Sequence, residues 1–334
     1  MNKQLIGKII FLLIIVQVFG KKLNSQKSLI NNKSQQQRDF QKFKKTYNKS
    51  YESNELESYR FNVFLENIKQ ADRLNNENPS AQYGITQFSD YTIEEFLSLY
   101  ANVKPPSQVD IFDSYVQNTS GAEETLVNLP QQWDIRVNGP GQLQQVKATG
   151  QCFCDCAFSA TSTVENLYSF QQNQTLNLSE QQLVDCNYRS QGCNGGWFTD
   201  AYDYVKYTGL ATSSRYPYIG MKGVCREQQV GQLYKIKGYK NLPKDQNSIK
   251  QALITNGAIS VAVDGSNWGS YIRGIYKASP PFQINKGVTI IGYGPNYWLL
   301  RNNWGTIWGE MGHIRVANDG TGGIFLENAF QPNL

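Results

Sequence analysis

One histidine, His313, is all that 334 residues contain. Histidine is the side chain that most often serves as a general base near neutral pH, so the chain has almost no imidazole with which to activate a nucleophile. Basic runs are missing too. The densest is "KFKK" at 42–45, which reads as a solvated helix face, so a net charge of +5 does not point to a nucleic-acid partner. Residues 35–78 contain no glycine, and no proline precedes Pro79, which excludes a turn-rich fold for that stretch. A hydrophobic content of 40% with 13% aromatics excludes wholesale disorder.

Long apolar runs are absent after the N-terminus. The exception is Ile9 to Phe19, preceded by Lys3 and Lys8 and followed by Gly20. This is the layout of a secretory signal peptide over residues 1–20, short for a membrane span, although an uncleaved anchor has the same outline. The remainder is expected to be lumenal or secreted and free of the membrane, where disulfides persist. Asn-x-Ser/Thr acceptors at Asn32, Asn48, Asn118, Asn173 and Asn177 are compatible with that route.

Tyr59, Val63, Phe64, Ile68 and Leu74 recur at helical spacing and predict one or two long amphipathic helices within 35–78. "NPSAQYG" breaks the pattern. A short extended piece follows, then a helix capped by Thr92 with Glu94 and Glu95 in its first turn. "ANVKPPSQVD" begins a linker, and residues 111–127 are polar and featureless. All six cysteines lie beyond Leu129. There, Ala157, Ala160, Val164, Leu167 and Tyr168 mark a helix, while "GVTIIGYG", "YWLLRNNWG" and "GHIRVAND" alternate as strands between glycine turns. A helical half before a β half predicts an α+β domain of two lobes. The expected organisation is a signal (1–20), a helical module (21–110), a linker (111–127) and a two-lobed domain (128–334).

The motifs resemble the papain family of cysteine proteases in its proenzyme form. "TGQCFCDCAFSA" (149–160) aligns without a gap on the family's nucleophile signature. "LSEQQLVDC", "GCNGGW", "YPYIGMKGVC", "VTIIGYG" and "YWLLRNNWGTIWGEMGHIRV" match further segments. In the N-terminal module Arg60, Val63, Phe64, Asn67 and Asn75 resemble the inhibitory prosegment helix, and Gly84, Phe88 and Asp90 its second motif. Leu56, Ala71 and Thr86 depart from it. The resemblance implies a helical lobe, a β-barrel lobe and a cleft between them that the chain's own prosegment fills. It implies disulfides Cys152–Cys193 and Cys186–Cys225, with the family's third bridge lost at Phe325. It also implies an extracellular, lysosomal or vacuolar location, and extended peptides or cystatin-like inhibitors as candidate partners.

At the positions that carry the family's chemistry, this sequence departs. The nucleophile position holds Asp155, the base position Lys286 and the oxyanion-hole position Thr149; only Asn302 remains, in "RNNWG". The aromatic after the nucleophile has become Cys156. A cysteine protease needs a thiolate formed by an imidazole that later protonates the leaving amine. A carboxylate attacks an amide poorly, and an ordinary lysine is a poor proton shuttle. No catalytic residue, cofactor or metal is therefore expected.

Alternatives stay open at this point. Cys154 or Cys156 could act as a displaced nucleophile, although the first helical turn would aim each away from the cleft. They could also remain free thiols, form a strained mutual bridge, or clip a soft metal as part of C-x-C-x-C. Gly195, Gly196 and Trp304 match the segments that hold an extended peptide, so the chain could be a peptide- or inhibitor-binding decoy. A storage protein is a further reading. Asp155 and Lys286 also preserve an anion and a cation where the family pairs thiolate with imidazolium, which suggests a structural pair holding the lobes together.

Overall fold

The computed structural model describes residues 32–101, 103 and 128–334. The signal segment 1–20 and the linker 111–127 lie outside the described residues, as does most of 101–110.

The prosegment forms two helices, Lys33–Thr46 and Asn54–Glu77, rather than one. The break falls where Tyr47, Asn48 and the Ser53 cap interrupt the pattern. Asn48 takes a left-handed φ of 51°, which asparagine tolerates better than most residues, and Ser53 accepts a hydrogen bond from the Leu56 N–H. Phe40, Phe43, Phe64 and Ile68 bury the contact between the helices. Helix Ile93–Tyr100 follows, and Thr92 and Glu95 close a reciprocal capping box at its start.

The strands are β1 Ala81–Tyr83, β2 Trp133–Asp134, β3 Gly238–Asn241, β4 Ile259–Val263 and β5 Tyr271–Tyr276. After these come β6 Lys286–Gly294, β7 Tyr297–Arg301, β8 His313–Ala317 and β9 Ile324–Asn333. They form one sheet in the order β1-β5-β8-β7-β6-β4-β9-β3, with β2 on β6. β6 is buried along its whole length, as its run of Val, Ile and Gly requires. β1 comes from the prosegment and pairs antiparallel with β5, so the prosegment completes an edge of the second lobe's sheet.

Three residues of the prosegment pattern fasten its parts together. The Arg60 guanidinium donates to both Glu95 oxygens and to the Asp90 carbonyl, Asn67 to the carbonyls of Ser89 and Tyr91, and Asn75 to that of Tyr83. Phe88, Phe96 and Tyr100 then surround Trp304, with ring centroids 4.9, 5.5 and 5.9 Å away.

The first lobe is built on helix Asp155–Gln172, whose residues 155–169 are all buried. A helix enclosed on every side shows little amphipathic contrast, so the stripe at Ala157, Ala160 and Val164 captures only one of its faces. Another face carries Ser159, whose hydroxyl bonds Ser260 Oγ and the Val288 carbonyl of the second lobe. Disulfides join Cys152 to Cys193 and Cys186 to Cys225.

Candidate functional site

Asp155 is the first residue of the central helix and Lys286 the first residue of β6, so each lobe presents one of them at the same point. The Lys286 ammonium donates to Asp155 Oδ2 at 3.0 Å and to Asn303 Oδ1 at 2.9 Å. The Asn303 amide closes the triangle by donating to Asp155 Oδ1 at 2.8 Å. Lys286 is fully enclosed, and its ammonium lies 4.2 Å from the centre of the Trp304 ring. Its alkyl chain runs beneath Gly265, where a Cβ would come within 2.9 Å of Lys286 Cδ. Burial lowers the Lys286 pKa from its ordinary value, and the Asp155 charge offsets this only in part.

Asp155 does not cap its helix through its side chain: the N-cap is Cys154, without a side-chain bond, and the carboxylate faces Lys286 and Asn303. Asn302 sits at the family's asparagine position but takes no part in the triangle. Both of its amide atoms are buried and unpartnered, and it lines a small cavity with Ser162, Glu165, Glu180 and Arg301. The neighbouring Asn303 was not singled out from the sequence, where the doubled asparagine of "RNNWG" was the available signal.

Cys154 and Cys156 are both free and buried. Burial pushes both thiols up, and the Asp155 charge pushes in the same direction. The Cys156 thiol donates to the Gly196 carbonyl at 2.9 Å, and Cys154 Sγ lies 3.4 Å from the Tyr218 hydroxyl. His313 packs against Arg136 and the Glu310 carbonyl, and burial with the nearby Arg136 and Arg301 charges pushes its pKa down to about 4. It is neutral at pH 7 and is bonded to neither thiol.

Thr149 is buried, and its backbone N–H bonds the Asn303 carbonyl at 2.9 Å. Gly195 adopts φ 98°, and a Cβ on Gly196 would meet Ser190 Cβ at 2.8 Å. The Gly195 carbonyl already accepts from the Gln191 N–H and the Gly196 carbonyl from Cys156, so part of this backbone is satisfied within the chain. The prosegment sits in the cleft. Val103 N–H donates to the Asn285 carbonyl at 2.8 Å, one residue before Lys286, and Gln87 donates to the Trp304 carbonyl.

A second charged cluster lines the same small cavity as Asn302 and Asn303. The Lys147 ammonium binds Glu165 at 2.9 Å and Glu180 at 2.6 Å. Burial pushes the Glu180 carboxyl up to about 7, with Lys147 pulling against it.

A two-lobed α+β domain with a helical prosegment in its cleft is the architecture of a cysteine protease precursor, and comparison agrees. Residues 129–330 match the model of the papain family cysteine protease, and residues 40–96 that of the cathepsin propeptide inhibitor domain. The chain belongs to the papain family. It is 34% identical over 291 residues to viral cathepsin of Adoxophyes honmai nucleopolyhedrovirus, covering 84% of this chain and 86% of that one. Vignain of Vigna mungo is 35% identical over 271 residues, covering 78% and 74%. Among solved structures, digestive procathepsin L 3 of Tenebrio molitor superposes with a TM-score of 0.74 at 30% identity, covering 90% of this chain and 99% of that one. No helix among the described residues is long and apolar enough to cross a membrane.

Proposed function

We propose that this chain is a secreted, papain-fold pseudoenzyme in which the catalytic pair has become a structural pair. The observation that carries the reading is the Asp155–Lys286–Asn303 triangle. It occupies the nucleophile and base positions with groups that satisfy one another. Peptide hydrolysis needs a thiolate, a proton carrier for the leaving amine and a donor to the oxyanion. Here the nearest thiols are held protonated by burial, and the only imidazole in the chain is engaged elsewhere. Loss of members of such a constellation reduces turnover by about 10⁴–10⁶.

The same pair ties the helical lobe to the β lobe, which gives Asp155 and Lys286 a role without chemistry. A chain with no nucleophile has no means of removing its own prosegment. The prosegment, with β1 in the sheet and Phe88, Phe96 and Tyr100 around Trp304, then acts as a lasting part of the fold. Entry through a signal at 1–20 and delivery to an extracellular, lysosomal or vacuolar lumen belong to this proposal.

The test is hydrolysis of a fluorogenic dipeptide library by the full chain cut within 104–127, beside an Asp155→Cys, Lys286→His, Thr149→Gln variant treated identically. The native chain is expected to be silent. Hydrolysis by the native chain that stops on thiol alkylation would sink the reading and return Cys154 or Cys156 as the nucleophile. Activity in the variant would add that the cleft still admits a peptide.

A further inference from the structure

The triangle also holds the reactants for a different, single-turnover reaction. We propose that Lys286 Nζ attacks the side-chain carboxamide of Asn303 to form an isopeptide cross-link, with Asp155 as the proton carrier and ammonia as the leaving group.

An amine attacks an amide only if it is uncharged, close to the carbonyl carbon, and sheltered from water, with a proton supplied to the departing nitrogen. Each condition has a counterpart here. Lys286 is completely buried, and Asp155, Asn303 and Trp304 are at most 6% exposed, so bulk water has little access. Desolvation favours the neutral amine, and the Asp155 carboxylate at 3.0 Å is placed to take its proton. Lys286 Nζ donates to Asn303 Oδ1 at 2.9 Å, so that once it has lost a proton a small swing of the flexible lysine end carries its lone pair from the oxygen to the adjoining carboxamide carbon. The other carboxylate oxygen of Asp155 lies 2.8 Å from Asn303 Nδ2, the nitrogen that has to leave.

In sequence, the Lys286 ammonium gives one proton to Asp155, and the freed lone pair bonds to Asn303 Cγ. Asp155 passes that proton to Nδ2, the tetrahedral intermediate collapses, and the Cγ–Nδ2 bond breaks. The departing ammonia takes the second proton from the new amide nitrogen and leaves as ammonium ion, so that two protons in all have moved from Nζ to Nδ2. The net change is ammonium plus carboxamide to secondary amide plus ammonium ion, with Asp155 returned as carboxylate. Nothing is oxidised or reduced. Holding both groups on one frame makes the reaction intramolecular, and well-aligned intramolecular pairs reach effective molarities of about 10⁵–10⁸ M, which is how an unreactive carboxamide becomes accessible to a lysine. The product ties β6 covalently to the segment after β7. Asp155 remains beside the new N–H as acceptor.

The inference rests on the pair being non-catalytic toward peptides, and the two ideas fail separately. The test is the intact mass of the secreted full chain after reduction, followed by a tryptic map. The expected result is a chain lighter by one ammonia. Trypsin would leave Lys286 uncut and yield a branched peptide joining it to the peptide that begins at Asn302. The Asp155→Ala and Asn303→Ala variants are expected to keep the full mass. An unshifted native mass, which needs no variant to fold, overturns the cross-link and leaves the proposed function standing. A loss of one water in its place would put the amide on Asp155 and overturn the assignment to Asn303.

Discussion

Lys286 is fully enclosed and the Lys147 side chain 22% exposed, and the two lysines are treated in opposite ways. Lys147 meets two carboxylates, Glu165 and Glu180; Lys286 meets one, Asp155, with an uncharged amide and an aromatic face for company. Desolvation pulls on both ammoniums. At Lys147 the two acidic charges overcome it and the pKa ends above its ordinary value, whereas at Lys286 desolvation wins and the pKa falls. Lys147 is held charged, while burial pushes its partner Glu180 up to about 7. At Lys286 burial favours the uncharged amine, which is the direction the proposed chemistry at Asn303 requires.

The largest effect is expected where the commitment is deepest. Lys147→Ala leaves two buried carboxylates without the cation that is bonded to both, and loss of one partner from such a cluster costs about 3–5 kcal/mol. Urea unfolding of the full chain measures it. Asp155→Ala should cost less, about 1–3 kcal/mol, because Lys286 can shed its proton and then leaves only an unpaired neutral donor. If Asp155→Ala costs as much as Lys147→Ala, the contrast between the clusters is broken.

Alkaline pH sharpens the contrast. The Lys147 pKa is raised in the folded chain, so its contribution is fully present below the unfolded value near 10.5 and is lost as pH rises through the higher folded value. The Lys286 pKa is lowered, so its contribution has the opposite sign: stability is gained as pH rises from the lowered folded value towards 10.5. Urea midpoints from pH 8 upward, taken in the Asn303→Ala background where Lys286 stays a free amine, should therefore decline less steeply when Lys147→Met is added and more steeply when Lys286→Met is added. Parallel curves for the three proteins would contradict this.

The smallest effect near neutral pH is expected at His313, which lies outside both clusters. Its folded pKa, about 4 against an ordinary 6.5, means its contribution is present above pH 6.5 and lost as pH falls towards 4. His313→Phe should leave neutral stability within about 1.5 kcal/mol of the parent. It should also flatten the acid limb, which denaturation at pH 7 and pH 4.5 would show.

Much of this was legible in the sequence because it rests on local chemistry or on a family pattern with a mechanical cause. Thr92 and Glu95 announce a capping box, and Arg60, Asn67 and Asn75 recur because each holds one piece of the prosegment to the next. The opposing charges of Asp155 and Lys286 were legible as a pair. Other features depend on side-chain direction, which spacing does not carry. Asn302 and Asn303 are adjacent and line the same small cavity, but only the second has its amide bonded into the triangle, while both amide atoms of the first are without a partner. The C-x-C-x-C run was equally ambiguous until packing placed Cys156 against the Gly196 carbonyl and left both thiols unbridged. The entry of β1 into the sheet of the second lobe is a long-range pairing that three residues of sequence cannot encode.

Thiol reactivity in the native chain tests the central claim most directly. The folded protein would be treated with iodoacetamide at neutral pH, before and after a cut within 104–127, and Cys154 and Cys156 followed by mass spectrometry. The account predicts that neither is modified until the chain is unfolded, whereupon both are. Rapid modification of either cysteine in the folded chain, with peptide hydrolysis disappearing at the same rate, would contradict it.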